Sequence, residues 1–156
     1  MFHSQTFGDL TLEEVRNKVL DYIRADPEKN YRLVIGTDSA SGGQTETDFI
    51  TAIVIHRVGK GGIYFWQRTV DKKKYVLRER IYQEAFLSLK TAQDFLEVIK
   101  TDGIGKYDVE IHVDIGPYGE TREMINEVVG MVRGSGFIVA IKPEAYGASK
   151  VADRHT

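Results

Sequence analysis

Two apolar segments of the chain each finish on an aspartate. Arg-Leu-Val-Ile-Gly-Thr-Asp ends at Asp38, and Asp-Val-Glu-Ile-His-Val-Asp ends at Asp114. Carboxylates suit neither a strand interior nor a buried sheet. In open α/β sheets, ligands bind beyond the carboxyl ends of strands. Two aspartates there, on adjacent strands, repel each other unless a proton or a cation sits between them. An oxygen-only donor set suits a hard divalent cation such as Mg²⁺ or Mn²⁺. Either aspartate taken singly reads as a turn cap. The matched pair points to a metal site.

Further acids lie on a helical stretch over about residues 75–100: Glu79, Glu84, Asp94 and Glu97. Each residue turns the helix by about 100°, so these acids do not share a face. The apolar stripe runs through Leu77, Ile81, Ala85, Leu89, Ala92, Leu96 and Ile99. Glu79 and Glu97 fall opposite it, and Asp94 lies well off it. Glu84 sits at its margin, placed to reach a sheet or to snorkel to water. Near the end of the chain, Asp153 shares a helical face with Tyr146, Ser149 and Lys150. Alone it reads as a solvated acid. Lys72, Lys73, Lys74, Arg78 and Arg80 crowd the start of the long helix, where cations oppose the helix dipole. A phosphate-bearing partner accounts for such a patch, and so does a solvated loop.

The elements that must hold these residues follow from pattern. Thr11-Leu-Glu-Glu14 is a capping box, followed by Leu12, Val15, Val19 and Ile23 at helical spacing, with Asp26-Pro27 as the stop. Strands are expected over residues 31–38, 49–57 and 63–70. Glycines 59, 61 and 62 form the second connection, so the three make an antiparallel meander. The long helix comes next, then a strand over 107–114, a helix over 120–133, a strand over 137–142 and a last helix from Tyr146. The β-α-β-α half calls for parallel pairing. The expected product is a five-stranded mixed sheet with helices on both faces, in a single domain over 1–156 with a helical extension over 1–30. Phe86 and Leu87, off the stripe of the long helix, are expected to meet the N-terminal helix or a second subunit of a homo-oligomer.

Bulk composition narrows the function classes. With 156 residues and 42% hydrophobic content, the chain can fill one real core. It contains no cysteine, which removes disulfides and thiolate metal sites and suits a cytoplasmic location. The first residues have no basic region followed by an apolar run, so no signal peptide is expected. No apolar stretch is long enough to span a bilayer. A net charge of −2 argues against broad non-specific nucleic-acid binding and leaves a local patch or metal ions to make such contacts.

The order of elements and the placement of the acids resemble the ribonuclease H-like fold over residues 32–155, and more narrowly its bacterial YkuK-type branch, a group of unsettled function. Asp38 in Ile-Gly-Thr-Asp-Ser matches the family's first-strand aspartate. Glu84 in Glu-Ala-Phe-Leu-Ser-Leu matches its helix glutamate better than Glu79. Asp114 in His-Val-Asp-Ile matches its fourth-strand aspartate, and Asp153 in Val-Ala-Asp-Arg-His matches its last acid. Ser39 stands where the usual motif has glycine. The resemblance implies a nuclease in which two Mg²⁺ or Mn²⁺ ions about 4 Å apart bracket a scissile phosphate of RNA or an RNA–DNA hybrid. Asp38 would bridge both ions, with Glu84 and Asp114 on one side and Asp153 on the other, and His155 would move a proton or release product.

Competing readings have weaker support. A non-catalytic ribonuclease H-like module binding nucleic acid or protein keeps the fold and loses an acid. An actin-like ATPase half, suggested by Ile-Gly-Thr-Asp-Ser, needs a second similar domain. His112 and Asp114 share a strand face, but zinc would need more histidines than this chain offers nearby, so a core or supporting histidine is expected. Gly59-Lys-Gly-Gly62 lacks phosphate-loop spacing. Ser39 lacks the flanking glycines of a serine nucleophile.

Overall fold

The structure is a computed structural model and describes residues 1–41, 45–103, 105 and 108–142. Its centre is the predicted meander. Strands β3 (Tyr31–Ser41), β4 (Thr47–Arg57) and β5 (Gly62–Asp71) pair antiparallel in sequence order. Strand β6 (Val109–His112) joins β3 in parallel, and β7 (Ile138–Ala140) joins β6 in parallel, as the β-α-β pattern requires.

The sheet has seven strands rather than five. Residues 2–10 form two short strands, β1 (Phe2–Ser4) and β2 (Gly8–Leu10), that extend the sheet beyond β5 in the order β2-β1-β5-β4-β3-β6-β7. The expected helical extension over 1–30 is therefore a hairpin plus helix α1 (Leu12–Ala25), built into the sheet and the core. Alternation needs several residues to show, and these strands have three each. Gly8 turns the hairpin at φ 76°, a left-handed backbone angle that glycine adopts without strain.

Helix α1 starts as its sequence dictates. The Thr11 hydroxyl accepts from the Glu14 N–H at 3.2 Å, and the Glu14 carboxylate accepts from the Thr11 N–H at 3.0 Å. The long helix α2 (Leu77–Ile99) and helix α3 (Ile125–Gly134) complete the described helices. All three pack into one core with Leu33, Ile35, Ile53, Ile55, Phe65, Val109 and Ile111, the inward positions of β3 to β6. The opposite face carries a smaller apolar group, Ile50 and Ala52 with Val54 and Trp66. The helix expected from Tyr146 lies outside the described residues. No described helix is long and apolar enough to cross a membrane.

The ends of the parallel strands differ from expectation in a way that matters. The ladder between β3 and β6 stops at Gly36 and His112, while β3 continues beside β4 to Ser41. The fourth predicted strand, drawn over 107–114, thus ends before its aspartate. The chain bends at Asp114, and the β3–β6 ladder does not continue beside the second half of β3.

Candidate metal centre

Both faces of β3 carry candidate site residues beyond the end of the β3–β6 ladder. Successive strand residues point to opposite faces. Thr37 and Ser39 face α2, whereas Asp38 shares its face with Gly36 and lies opposite Ile50 of β4. Asp114 lies two residues past His112, which closes the β3–β6 ladder opposite Gly36.

Glu84 enters from α2. It is 5% exposed, and its carboxylate accepts a hydrogen bond from the Ser39 hydroxyl. Burial raises its pKa to about 8, against the Ser39 hydrogen bond and the Arg80 charge and with help from the negative charges of Asp38 and Asp114. Both aspartates are therefore within electrostatic range of the one buried acid on α2. Polar contacts hold this part of the helix in place. The Ser88 hydroxyl, one turn after Glu84, lies 2.8 Å from the Thr37 hydroxyl, which lies 3.0 Å from that of Thr51. These hydroxyls are buried and mutually satisfied, so they fix the rotation of α2 over β3.

The other acids of α2 do other work, in line with their predicted faces. Glu79 accepts from Lys73 at 3.2 Å and from the Val76 N–H, and this pairing with Lys73 lowers its pKa. Asp94 pairs with Lys90 and Glu97 with Lys100, all on the exposed face.

Asp114 has a partner that was not expected. Lys142, just after β7, brings Nζ to 2.9 Å from Asp114 Oδ1. No sequence signal marks this lysine: it follows the last apolar residue of a strand and lies far from Asp114 along the chain. Ser39, read from the sequence as a departure from the family motif and as no nucleophile, is the partner of Glu84. Alternation along β3 could have found it, since Thr37 and Ser39 are the polar residues on the face that meets α2.

His112 is 3% exposed on β6, with Nε2 3.4 Å from Glu110, which in turn receives two hydrogen bonds from Arg32 at 2.9 and 2.7 Å. Burial lowers the His112 pKa, against the Glu110 hydrogen bond and charge, and so favours the neutral imidazole. It is the core histidine the sequence implied.

The cationic patch is smaller than five residues. Lys73 is tied to Glu79 and Arg78 to Glu127 of α3. Arg80 is partly buried beside Glu84. Lys72 and Lys74 are exposed. Asp153 and His155 lie outside the described residues.

Among the described residues, no three His, Asp or Glu side chains form a ready cation cage. Glu84 leans on Ser39 and Asp114 on Lys142. The donor chemistry nonetheless fits a hard cation. The acids are oxygen donors, and their mutual repulsion contributes to the raised Glu84 pKa, a repulsion that a divalent ion would relieve.

Comparison with known proteins agrees with this architecture. The sequence profile of the family described as Ribonuclease H-like matches residues 14–156. The uncharacterized protein YkuK of Bacillus subtilis (strain 168) is 33% identical over 170 aligned positions, covering 100% of this chain and 96% of that protein. Among solved structures, the chain is similar to endonuclease V of Ciona intestinalis, crystallised with a 24-mer DNA containing an inosine followed by a ribo-adenosine. Identity there is 12% and the TM-score is 0.42, over 92% of this chain and 62% of that one. The chain thus spans less than two thirds of that protein.

Proposed function

Because the chain belongs to the ribonuclease H-like family, we propose that it is a divalent-cation-dependent phosphodiester hydrolase acting on RNA or another nucleic acid. The observation that carries this reading is the buried Glu84 carboxyl, whose proton affinity responds to both Asp38 and Asp114. A buried acid whose pKa is shifted by desolvation and by neighbouring charges is a mark of functional sites.

Asp38, Glu84 and Asp114 would hold Mg²⁺ or Mn²⁺, with Asp153 as a further ligand on the strength of the family motif. Bound there, the ions would supply Lewis-acid stabilisation of the phosphate and an activated water, the two-metal chemistry of such nucleases. The protein's own part is positional. Ser39 orients the Glu84 carboxylate, and the Thr51–Thr37–Ser88 hydroxyl chain holds α2 against β3. Glu84 must give up its proton to act as a ligand, and the charge of an entering cation favours that loss. Lys72 and Lys74 are placed near the start of α2 to meet a phosphate backbone, and His155 would assist proton transfer or product release.

The test is cleavage of labelled RNA, DNA and RNA–DNA hybrid with Mg²⁺ or Mn²⁺. Wild type should cut at least one substrate, and EDTA should stop it. Asp38→Asn and Asp114→Asn should each lower the rate by about 100-fold or more, since even residues that only support a metal ligand are worth about 10–100-fold. Equal activity in these variants, or no metal-dependent activity on any substrate, would sink the enzyme reading. The second reading is a non-catalytic nucleic-acid-binding module. It draws on the lack of a ready cation cage among the described residues and on the neutralisation of Asp114 by Lys142. Metal-independent binding without cleavage would favour it.

A further inference from the structure

We propose that Lys142 is a built-in counter-ion that closes Asp114 to divalent cations, so that a cation enters only as the lysine leaves. This rests on the acids being a cation site, and it adds a residue that competes with the ion for one ligand.

The geometry is specific. The ammonium stands 2.9 Å from Asp114 Oδ1, so a cation using that oxygen must displace it. The root of the side chain is fixed, because the Lys142 N–H donates to the Ile115 carbonyl at 2.8 Å. Space for the stem comes from Gly116. A Cβ added there would stand 3.1 Å from Lys142 Cβ and 3.5 Å from Lys142 Cδ. A residue without a side chain thus lies under the lysine, next to the bend that carries Asp114.

The energetics allow exchange. The Lys142 side chain is 56% exposed and that of Asp114 is 35% exposed, so the pair is screened and breakable. An ammonium on a flexible stem can leave for water without unfolding anything around it. One positive charge on one aspartate is then exchanged for a divalent ion shared by several carboxylates, and the stronger field wins at sufficient concentration. With no cation bound, the lysine offsets part of the negative charge that Asp38 and Asp114 bring to this place. It therefore sets a threshold for cation binding.

Calorimetric titration of the full chain with MnCl₂ tests this. Lys142→Met should bind Mn²⁺ about threefold or more tighter than wild type, since an exposed pair is worth no more than a small multiple of that. Gly116→Ala should shift affinity in the same direction by less, because its methyl crowds the lysine stem. Lys29→Met, which removes a charge from an exposed site before β3, should leave affinity unchanged. A second readout uses wild type alone: in protein with ¹³C-dimethylated lysines, the Lys142 signal should move toward that of a solvated lysine as Mg²⁺ is added. If Lys142→Met binds no tighter than Lys29→Met, or the Lys142 signal stays fixed at saturating Mg²⁺, the proposal is wrong while the metal site stands. If neither wild type nor Lys142→Met binds a divalent ion, the metal-site reading and this proposal fail together. Should Lys142→Met not fold, Gly116→Ala and the wild-type signal decide the matter.

Discussion

Glu84 is a carboxyl folded into a place that favours its neutral form, and that has a measurable consequence. The unfolded chain loses this proton near 4.5, whereas the folded chain keeps it up to about 8. Between those values the folded state binds more protons than the unfolded state, so the contribution of Glu84 to stability falls as pH rises. Glu84→Gln removes the titration, and the amide can still accept from Ser39. Its stability relative to wild type should therefore grow from about pH 5 to pH 8, by about 1–3 kcal/mol in urea unfolding without metal. An unchanged difference across that range would mean that Glu84 is ionised in the fold. Saturating Mg²⁺ should reverse the order, because the ion would favour the carboxylate. At this scale the positions of Asp38 on β3 and Glu84 on α2 were legible from the sequence, whereas Asp114 lies past the end of the strand expected to carry it. The partners Ser39 and Lys142 were not legible, because a partner's identity depends on which segments meet.

The elements explain a second pair of residues with opposite fates. Phe86 lies off the predicted stripe of α2 and is 52% exposed, whereas Phe95, five helical turns after Leu77 and so on the same side, is fully buried. Helix α2 does more than lie on the sheet. Arg16 of α1 donates to the Val98 carbonyl at 3.2 Å, and Arg78 pairs across to Glu127 of α3, so α2 has a helix on each flank. A helix in the middle of a layer buries a wider arc than one at its edge. Phe95→Ala should cost about 3–5 kcal/mol in chemical denaturation. Phe86→Ala should cost less than about 0.5 kcal/mol. A large, concentration-dependent loss for Phe86→Ala would instead place it against a second subunit, the alternative its position on the helix leaves open. The meander, the parallel pairing of β3, β6 and β7 and the start of α1 were all legible, since periodicity and capping are local signals. The β1–β2 hairpin was not, because its strands are too short to show alternation and are held by pairing with β5 through His3 and Trp66.

The whole molecule carries a net charge of −2, and part of its cationic patch is already neutralised internally. On the proposed function, nucleic-acid affinity would then come mainly through bound cations and the few exposed lysines. At fixed Mg²⁺, a plot of log affinity against log monovalent salt, read by fluorescence anisotropy, should have a slope of about −2 to −3, as for two or three phosphate contacts. A slope near −6 or steeper would reveal a basic surface that neither composition nor the described residues account for.

The amino-acid order by itself determined what depends on near neighbours along the chain: the helix caps, the alternation of the long strands, and the two apolar runs that end in Asp38 and Asp114. Tertiary structure decided what depends on meeting at a distance. It ended β6 at His112 and left Asp114 on a bend, turned Glu84 onto Ser39, and brought Lys142 across Gly116 to the second aspartate. The physical reason is that a carboxylate's charge state and partners are set by burial and by the field of groups remote in sequence. The paired aspartates thus marked a candidate site, and the packed sheet and helices determined which partner Glu84 and Asp114 each meet.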